Sequence, residues 1–436
     1  MDTREFPVLS DADRPLVDRL AAGLGDDAGR VLAYLVLRAD QYPDEEPPSE
    51  TIVQIGTGLN RSRVKDALAT LSERGLVTET TVRTATSGRP PKAWYASECP
   101  ETVTRDVYDR HAVALLERAE RVHSAESPTA RADSETTADP ESSRRPPDAD
   151  CHVTVGLNWR PNGLQLPLFA ALADGAYDRR DVSIDLEEHR GSARAIESLV
   201  AGTTDVAVAG AASTLRARAN GDPVVPIAVL FQRPMVVFYT TRETFGEPLE
   251  SVSQLRGRRV GMPIESETGL LGRLYLSQAG VLESTACVDL QGEESAPLRS
   301  GAAEVVTGTF FDPIRLEDRE MTVDSIHVAD QYAIYGPAIV TRAETLTGRR
   351  SVLESVLAGT VAGWALAVDD PGPAARDVAH RTDRPVAWIE RVFERAAEQF
   401  GTTDAVRKHG WGWHTLDTWS RLEAALEQVD LLEGDS

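Results

Sequence analysis

Cysteine is scarce in this chain. There are three, Cys99, Cys151 and Cys287, scattered and with no CxxC pair. No disulfide framework can be built from them, and a reduced, cytosolic setting is the expectation. Lysine is scarce too, with three in 436 residues, and positive charge as a whole is in deficit: 46 Lys and Arg against 69 Asp and Glu leave a net −23. Long apolar runs are missing. None approaches 18 residues, so no membrane-spanning helix is expected and no membrane partner. The opening MDTREFPVLSDADRPL has neither a basic segment nor an apolar core, so it does not read as a secretory signal. Cys151 follows a polar stretch and is not a plausible lipid-anchor site. No Ser/His/Asp set is recognisable. The eight histidines are dispersed, and His409 and His414 in HGWGWH are five apart, a poor metal spacing that suits structural packing better. The expectation is therefore no catalytic residue, no metal, no cofactor and no enzyme.

What is present is a globular composition, 41% hydrophobic and 26% charged, long enough for two or three domains. Abundant Ala, Val, Asp, Glu and Arg beside few Lys resembles the proteins of an extreme halophile, where surface carboxylates hold water. The acidic excess is then a solvent adaptation before it is a statement about partners. Any locally basic patch gains meaning against it.

Such a patch lies near the N-terminus. Val31, Leu32, Leu35 and Val36 fit one face of a helix over 26–38. Ser49 can cap a short helix over 50–55, Gly56-Thr-Gly58 turns the chain, and Asn60 is a good N-cap for a helix over 61–74. Val64, Ala67, Leu68 and Leu71 would face inward, and Gly75 ends the helix. Strands at 77–83 and 93–96 flank the loop TATSGRPPK. Helix, glycine turn, helix, then a hairpin with a basic tip is the pattern of a winged helix. Residues 49–96 carry seven basic and four acidic side chains inside a strongly acidic chain. DNA binding requires cations at phosphates and side chains at base edges. Arg61, Ser62, Arg63 and Lys65 at the start of the second helix, with Arg83, Arg89 and Lys92 in the hairpin, are the candidates. The alternative is a winged helix used for protein contact. LNRSRVKDALATLSERGLVTE followed by SGRPPKAWYA resembles the winged-helix domain of archaeal transcriptional regulators, over about 10–100.

Residues 101–123 read as a further helix with a stripe of Val103, Val107, Leu115, Ala119 and Val122. The stripe either pairs two subunits, giving a homodimer, or packs back on the winged helix. Residues 124–150, rich in Ser, Thr, Pro, Ala and charge, lack the apolar surface to order themselves and read as a flexible tether. Coupling between the two halves would then pass through oligomer geometry.

From 151 to 436 strands and helices alternate, which predicts an α/β domain around a mostly parallel sheet. The unit GTTDVAVAGAASTLRARANGDPVVPIAVLFQRP is strand, helix, strand, and its ligand mouth would lie at Gly210, Ala211, Ala212 and Ser213, past the strand's carboxyl end. LNWRPNGLQLPLFAALADGAYDRRDVSIDL, then GSARAIESLVAGTTDVAVAGAASTLRARANGDPVVPIAVLFQRP, then LRGRRVGMPIESETGLLGRLYLSQAG together resemble the substrate-binding proteins for thiamine-pyrimidine precursors, sulfonates and taurine, and the related thiamine pyrimidine synthase. The resemblance covers most of 152–345. It implies a two-lobed, type II periplasmic-binding-protein-like α/β fold, with lobe 1 about 152–235 plus 336–436 and lobe 2 about 236–335, closing by hinge motion.

The resemblance also implies where a ligand would sit. Trp159 is placed to stack on a flat ring, or is an ordinary half-buried aromatic. Asn162 follows it. Ala212, Ser213, Ser266 and Thr268 lie at helix starts, where backbone N–H groups favour an anion or a polar oxygen, although Ser266 also suits a plain N-cap. Glu265, with Glu267 beside it, offers a carboxylate to an aminopyrimidine or is one more surface acid. Gln232, Phe311 and Asp312 follow later strands. The synthase's histidine and its cofactor-binding lysine fall on Ser213 and Ala209, and its cysteine-rich segment is missing, so that chemistry is not expected. The function expected is a cytoplasmic, ligand-responsive regulator that binds double-stranded DNA and a small effector. The alternatives are a substrate-binding component linked to an ABC transporter and a thiamine-pyrimidine biosynthetic enzyme.

Overall fold

The computed structural model describes residues 8–82, 90–96, 98–126, 151–290 and 296–432. The predicted wing residues Arg83 and Arg89, and most of the predicted tether, lie outside them.

The N-terminal region opens with α1 (Arg14–Leu20), α2 (Asp26–Gln41), α3 (Glu50–Thr57) and α4 (Arg61–Glu73). A hairpin of β1 (Thr78–Thr81) and β2 (Lys92–Tyr95) follows, with Thr78 opposite Tyr95 and Thr81 opposite Lys92. Asn60 caps α4 by accepting the Arg63 N–H at 3.0 Å. Val64, Ala67, Leu68 and Leu71 of α4 are buried with Val31, Leu32, Leu35 and Val36 of α2 in one core, so the helical period places the apolar stripe where burial needs it.

The next helix, α5 (Pro100–Glu126), extends three residues into the segment expected to be tether. Val103, Val107, Tyr108, Ala112, Leu115, Leu116, Ala119 and Val122 are all buried in it. This band is wider than one helical stripe because α5 packs on two sides. It meets α1 and α2 on one side, and on the other it meets α14 (Arg350–Asp369) and β6 (Val224–Val229) of the large domain. The stripe is therefore consumed within one chain and is not a surface for pairing two subunits. Full burial of each large side chain contributes roughly 1.5–3 kcal/mol, whereas an exposed ion pair contributes ~0–1 kcal/mol. The α5 seam is thus dominated by packing, and the pairs Arg180–Asp109 and Arg350–Glu120 at its edge add orientation.

The large domain has two five-stranded sheets. Lobe 1 begins with β3 (His152–Leu157), α6 (Leu166–Asp174), β4 (Ser183–Glu188), α7 (Ser192–Val200), β5 (Val206–Ala209), α8 (Ala211–Ala219) and β6. Lobe 2 follows with β7 (Val236–Thr241), α9 (Arg242–Phe245), β8 (Arg259–Met262), α10 (Glu267–Gln278), β9 (Ala286–Asp289), α11 (Ala296–Ser300), β10 (Val305–Thr309), α12 (Asp312–Glu317) and β11 (Val323–His327). The chain then returns to lobe 1 through β12 (Ala338–Arg342), α13 (Ala343–Gly348), α14, α15 (Gly372–Arg381), α16 (Val386–Ala396), α17 (Asp404–His409) and α18 (Leu416–Glu427).

Strand order is β4-β3-β5-β12-β6 in one sheet and β11-β7-β10-β8-β9 in the other. Read in opposite senses the two orders are the same topology. Each sheet has three neighbouring parallel strands and then receives one antiparallel strand from the crossover: β7 between β10 and β11, β12 between β5 and β6. Four strands of each sheet run parallel, as the sequence predicted; the one antiparallel strand was not predicted, because alternation of strands and helices does not encode a strand arriving from the other lobe. The edge strand β11 also escaped the sequence reading; its residues are half-exposed and it has no continuous apolar run. α14 is, by length and composition, apolar enough to cross a membrane. Here it is packed between α6 and α5, so its apolar character serves a core.

The C-terminal loop HGWGWH joins these parts. The His111 Nε2–H of α5 donates to the Trp411 carbonyl at 2.6 Å, and Arg118 donates to the His414 carbonyl at 2.8 Å. Gly410, at φ +86°, lies against the amide of Gly23 and the His111 ring, a backbone conformation and a clearance that favour glycine. Burial in this apolar junction pushes the His111 imidazole down to about 4, against the opposing pull of its bond to Trp411. Burial likewise lowers His414 to about 3. Above pH 6.5 a neutral His111 costs nothing relative to the unfolded chain. Below it the unfolded chain takes up a proton that the folded chain refuses, so stability falls until about pH 4. His111 alone should account for a loss of about 2 kcal/mol between pH 6.5 and 5. Urea denaturation at these pH values should show His111→Gln losing correspondingly less stability than the parent; equal losses would place the acid sensitivity elsewhere.

Candidate functional site

Two crossovers, residues 230–235 and 331–337, run side by side between the lobes. Leu230 donates its N–H to the Pro337 carbonyl at 2.9 Å, and Gly336 donates to Phe231 at 3.1 Å. The cleft lies beside them. β3 and β5 are parallel neighbours, so Trp159, just past β3, and the start of α8, just past β5, share one sheet edge. β8 and β10 are likewise parallel, which puts the starts of α10 and α12 at the corresponding edge of lobe 2. Ligands gather at such edges because helix N-termini converge there.

The centre of the cleft is occupied by a side chain of the protein. Glu267, the first residue of α10 in lobe 2, reaches across to the first turn of α8 in lobe 1. Its carboxylate accepts the Ala212 N–H at 3.0 Å, the Ser213 N–H at 2.8 Å and the Ser213 Oγ–H at 2.7 Å. Gly210 leaves the room for this approach, since a Cβ there would land on the carboxylate. Gly210 is itself held by donating its N–H to Ser192 Oγ at 2.9 Å. Burial pushes the Glu267 carboxyl up, and the three donated bonds oppose that rise. A second tie lies alongside: Glu265 pairs with Arg216 of α8 at 2.7 Å. Farther along the cleft Arg391 of α16 pairs with Asp318 at 3.2 Å, and the Arg315 guanidinium of α12 lies 5.7 Å from the centre of the Trp388 ring of α16.

The residues proposed from sequence divide accordingly. Ala212 and Ser213 are at the cleft, with their donors engaged by Glu267. Glu265 is there too, but paired with Arg216. Trp159 is 49% exposed at the sheet edge, open to a stacking partner. Ser266 caps α10, accepting the Gly269 N–H at 3.2 Å and exchanging a 2.9 Å bond with Thr268. Asn162 is buried and holds its own turn, accepting from the Leu164 N–H at 2.9 Å and donating to the Arg160 carbonyl at 3.0 Å. Gln232 is engaged in the crossover, donating to the Trp413 carbonyl at 2.8 Å. Phe311 is buried between Phe310 and Trp388. Asp312 is buried as well, accepting from Thr309 N–H and Oγ–H at 2.7 Å each with Arg315 beside it. Burial pushes its carboxyl up against the pull of Arg315. The residue that sequence reasoning undervalued is Glu267. It sat beside Glu265 with the same side chain, and only the distance to α8 separates their roles.

Among the described residues no group of three His, Cys, Asp or Glu side chains could hold a metal ion. A groove of about 470 Å³ on lobe 2, lined by Tyr275, His327 and Tyr332 among others, involves none of the cleft residues.

Residues 162–374 match the family model described as NMT1/THI5 like. The aliphatic sulphonate binding protein SsuA from Escherichia coli superposes with a TM-score of 0.52 at 14% identity, covering 66% of this chain and 95% of that one. The chain carries an NMT1/THI5-like domain with a periplasmic-binding-protein fold. The riboflavin-binding protein RibY of Chloroflexus aurantiacus is 23% identical over 291 residues, 64% of this chain and 81% of the relative. The formylaminopyrimidine-binding protein of Halalkalibacterium halodurans is 25% identical over 162 residues, 37% of this chain and 48% of the relative. The chain thus spans about half of that second protein. Both relatives are binding proteins by name.

Hydrogen bonds to an ionised acceptor contribute more than neutral ones, roughly 1.5–3 kcal/mol each when well made. Breaking the Glu267 contact should therefore favour separation of the lobes. Small-angle scattering of Gly210→Ala, in which the new methyl group displaces the carboxylate, should give a larger radius of gyration than the parent at unchanged helical content. An unchanged radius would mean that the remaining cross-cleft contacts hold closure without Glu267.

Proposed function

We propose that this protein is a ligand-responsive, DNA-binding regulator. In this reading α2–α4 and the β1–β2 hairpin form a winged helix that docks on double-stranded DNA through the start of α4. The two-lobed domain takes a small metabolite, of the thiamine-pyrimidine-precursor or sulfonate kind, in its cleft. The protein works in the cytoplasm as a homodimer, with one recognition helix per operator half-site.

The observation that carries the reading is the wiring of the hinge. The crossover donates the Gln232 side-chain amide to the Trp413 carbonyl, and Val229 donates its N–H to the Gly412 carbonyl at 2.9 Å. The Trp411 and His414 carbonyls of that same loop receive His111 and Arg118 of α5. Lobe closure changes the crossover, and the crossover is bonded to the loop that seats α5. Position of the N-terminal unit is thereby a function of the cleft, with no need for the tether to transmit anything.

Charge at the DNA-facing end is more restrained than the sequence suggested. Arg61 is paired with Glu50 at 2.9 Å, Arg63 with Asp27, and Lys92 with Glu79 at 2.8 Å. Ser62 donates to the Asn60 cap at 2.9 Å. Lys65 is exposed and has no ion pair among the described residues. These pairs are solvent-exposed and weak, so phosphates can replace the carboxylates at small cost.

A second reading, a binding component associated with a transporter, is favoured by the names of the relatives, which are binding proteins. The two readings separate on DNA. Fluorescence anisotropy with fragments upstream of the chain's own gene should show specific binding that shifts with candidate pyrimidines. Arg61→Ala with Lys65→Ala should weaken it at least tenfold and reduce the slope of log K against log salt by about 1–2, since each phosphate contact contributes about 0.9. Pyrimidine binding without any specific DNA binding would decide for the transport-associated component.

A further inference from the structure

The hydrogen bonds of Glu267 bear on which ligands the cleft admits. The first turn of α8 presents three convergent donors, the Ala212 and Ser213 N–H groups and the Ser213 hydroxyl, at the positive end of a helix dipole. A tetrahedral oxyanion has the acceptors to satisfy all three. Glu267 already satisfies all three from the opposite lobe. The nearest cation on the same helix, Arg216, is engaged by Glu265. Two carboxylates therefore border the place where an anion would enter; the amides are already engaged, and the charge of the guanidinium is offset by Glu265.

The fit of this carboxylate is specific. The glycine at 210 is required for the side chain to reach the helix, and Ser192 fixes that glycine in place. Both lobes contribute: α10 brings the carboxylate and α8 brings the donors. Closure of the cleft and filling of the oxyanion position are consequently the same event.

We propose that Glu267 is a specificity-determining residue that acts as a built-in counter-anion. It shuts sulfonates and other ligands with an anionic head group out of the α8 terminus and restricts the cleft to uncharged or cationic molecules. This rests on the cleft being the ligand site, and within that reading it selects against the sulfonate kind. An uncharged ring has Trp159 to stack on at the same sheet edge, where the indole is 49% exposed, and it meets no repulsion from the two carboxylates.

Isothermal titration with ethanesulfonate tests the proposal on the full-length protein. The wild-type chain should show no binding up to millimolar concentration. Glu267→Ala, checked for native circular dichroism, should bind ethanesulfonate at least tenfold more tightly than the wild type. Adding Ser213→Asp to that variant, which returns a carboxylate to the helix start, should abolish the gain. Submillimolar ethanesulfonate binding to the wild type would overturn the proposal, and this arm holds even if the variant fails to fold. Silence from a folded Glu267→Ala would overturn it as well, because the anion would then be excluded by something other than Glu267. Neither result touches the ligand-site reading, which fails only if uncharged heterocycles such as aminopyrimidines also leave the cleft unoccupied.

Discussion

Of the several polar ties between the two lobes, the Glu267 carboxylate makes the most hydrogen bonds. Glu267 links the first turn of α10 to the first turn of α8, and its three accepted hydrogen bonds bridge the two lobes at the point where their sheets' edges face each other. The requirement behind it is elementary. The first turn of any helix has N–H groups with no partner inside the helix. In an open cleft water serves them, and in a closed cleft something else must. Here the protein supplies that acceptor itself, so closure leaves the Ala212 and Ser213 donors with a partner. Gly210, Ser192 and Ser213 are arranged around that need.

A second constraint acts on the other side of the molecule. The crossovers cannot move alone, because they are bonded to the loop containing Trp411 and Trp413. That loop is enclosed by α5 and by the turn at Gly23. The junction is dry enough to keep His111 and His414 neutral well below their ordinary range. It is held mainly by packing: Trp411 stacks on Trp364 with ring centres 5.7 Å apart, and α5 buries apolar side chains towards both neighbours. Apolar packing of this extent outweighs the few exposed ion pairs around it. Any motion at the cleft must either be absorbed in this junction or be passed through it to the N-terminal helices. A two-state rearrangement here is the physical form that coupling between the halves would take.

The name-bearing relatives accept ligands as different as a flavin, a formylaminopyrimidine and a sulphonate, judged from what they are called. One architecture serves all three because the fold supplies only a hinge and converging helix ends. The side chains placed on those ends decide the chemistry. In this chain the decisive placement is an acid on a helix start facing another helix start, an arrangement that disfavours acids as ligands.

Much of this was legible in the sequence. Apolar period identified α2, α4 and α5 and their buried faces, since a helix repeats every 3.6 residues whatever it packs against. Asn60 and Ser266 announced their helices because capping is a local interaction. The β5–Gly210–α8 turn followed from strand, glycine, helix. Contacts between distant segments were not legible. The antiparallel strands β7 and β12 enter each sheet from the other lobe, and no local pattern records an origin so far away. The stripe of α5 was visible, but whether it meets a second subunit or helix α14 is a question of which apolar surface lies within reach. HGWGWH read as packing, which it is, without any sign that His111, some 300 residues earlier, is what it packs on. Glu265 and Glu267 are the sharpest case. Two identical side chains stand two positions apart, and the sequence gives no reason to prefer either. Tertiary structure sends one to a pair with Arg216 and the other into the donors of α8, because only residue 267 begins the helix that faces them.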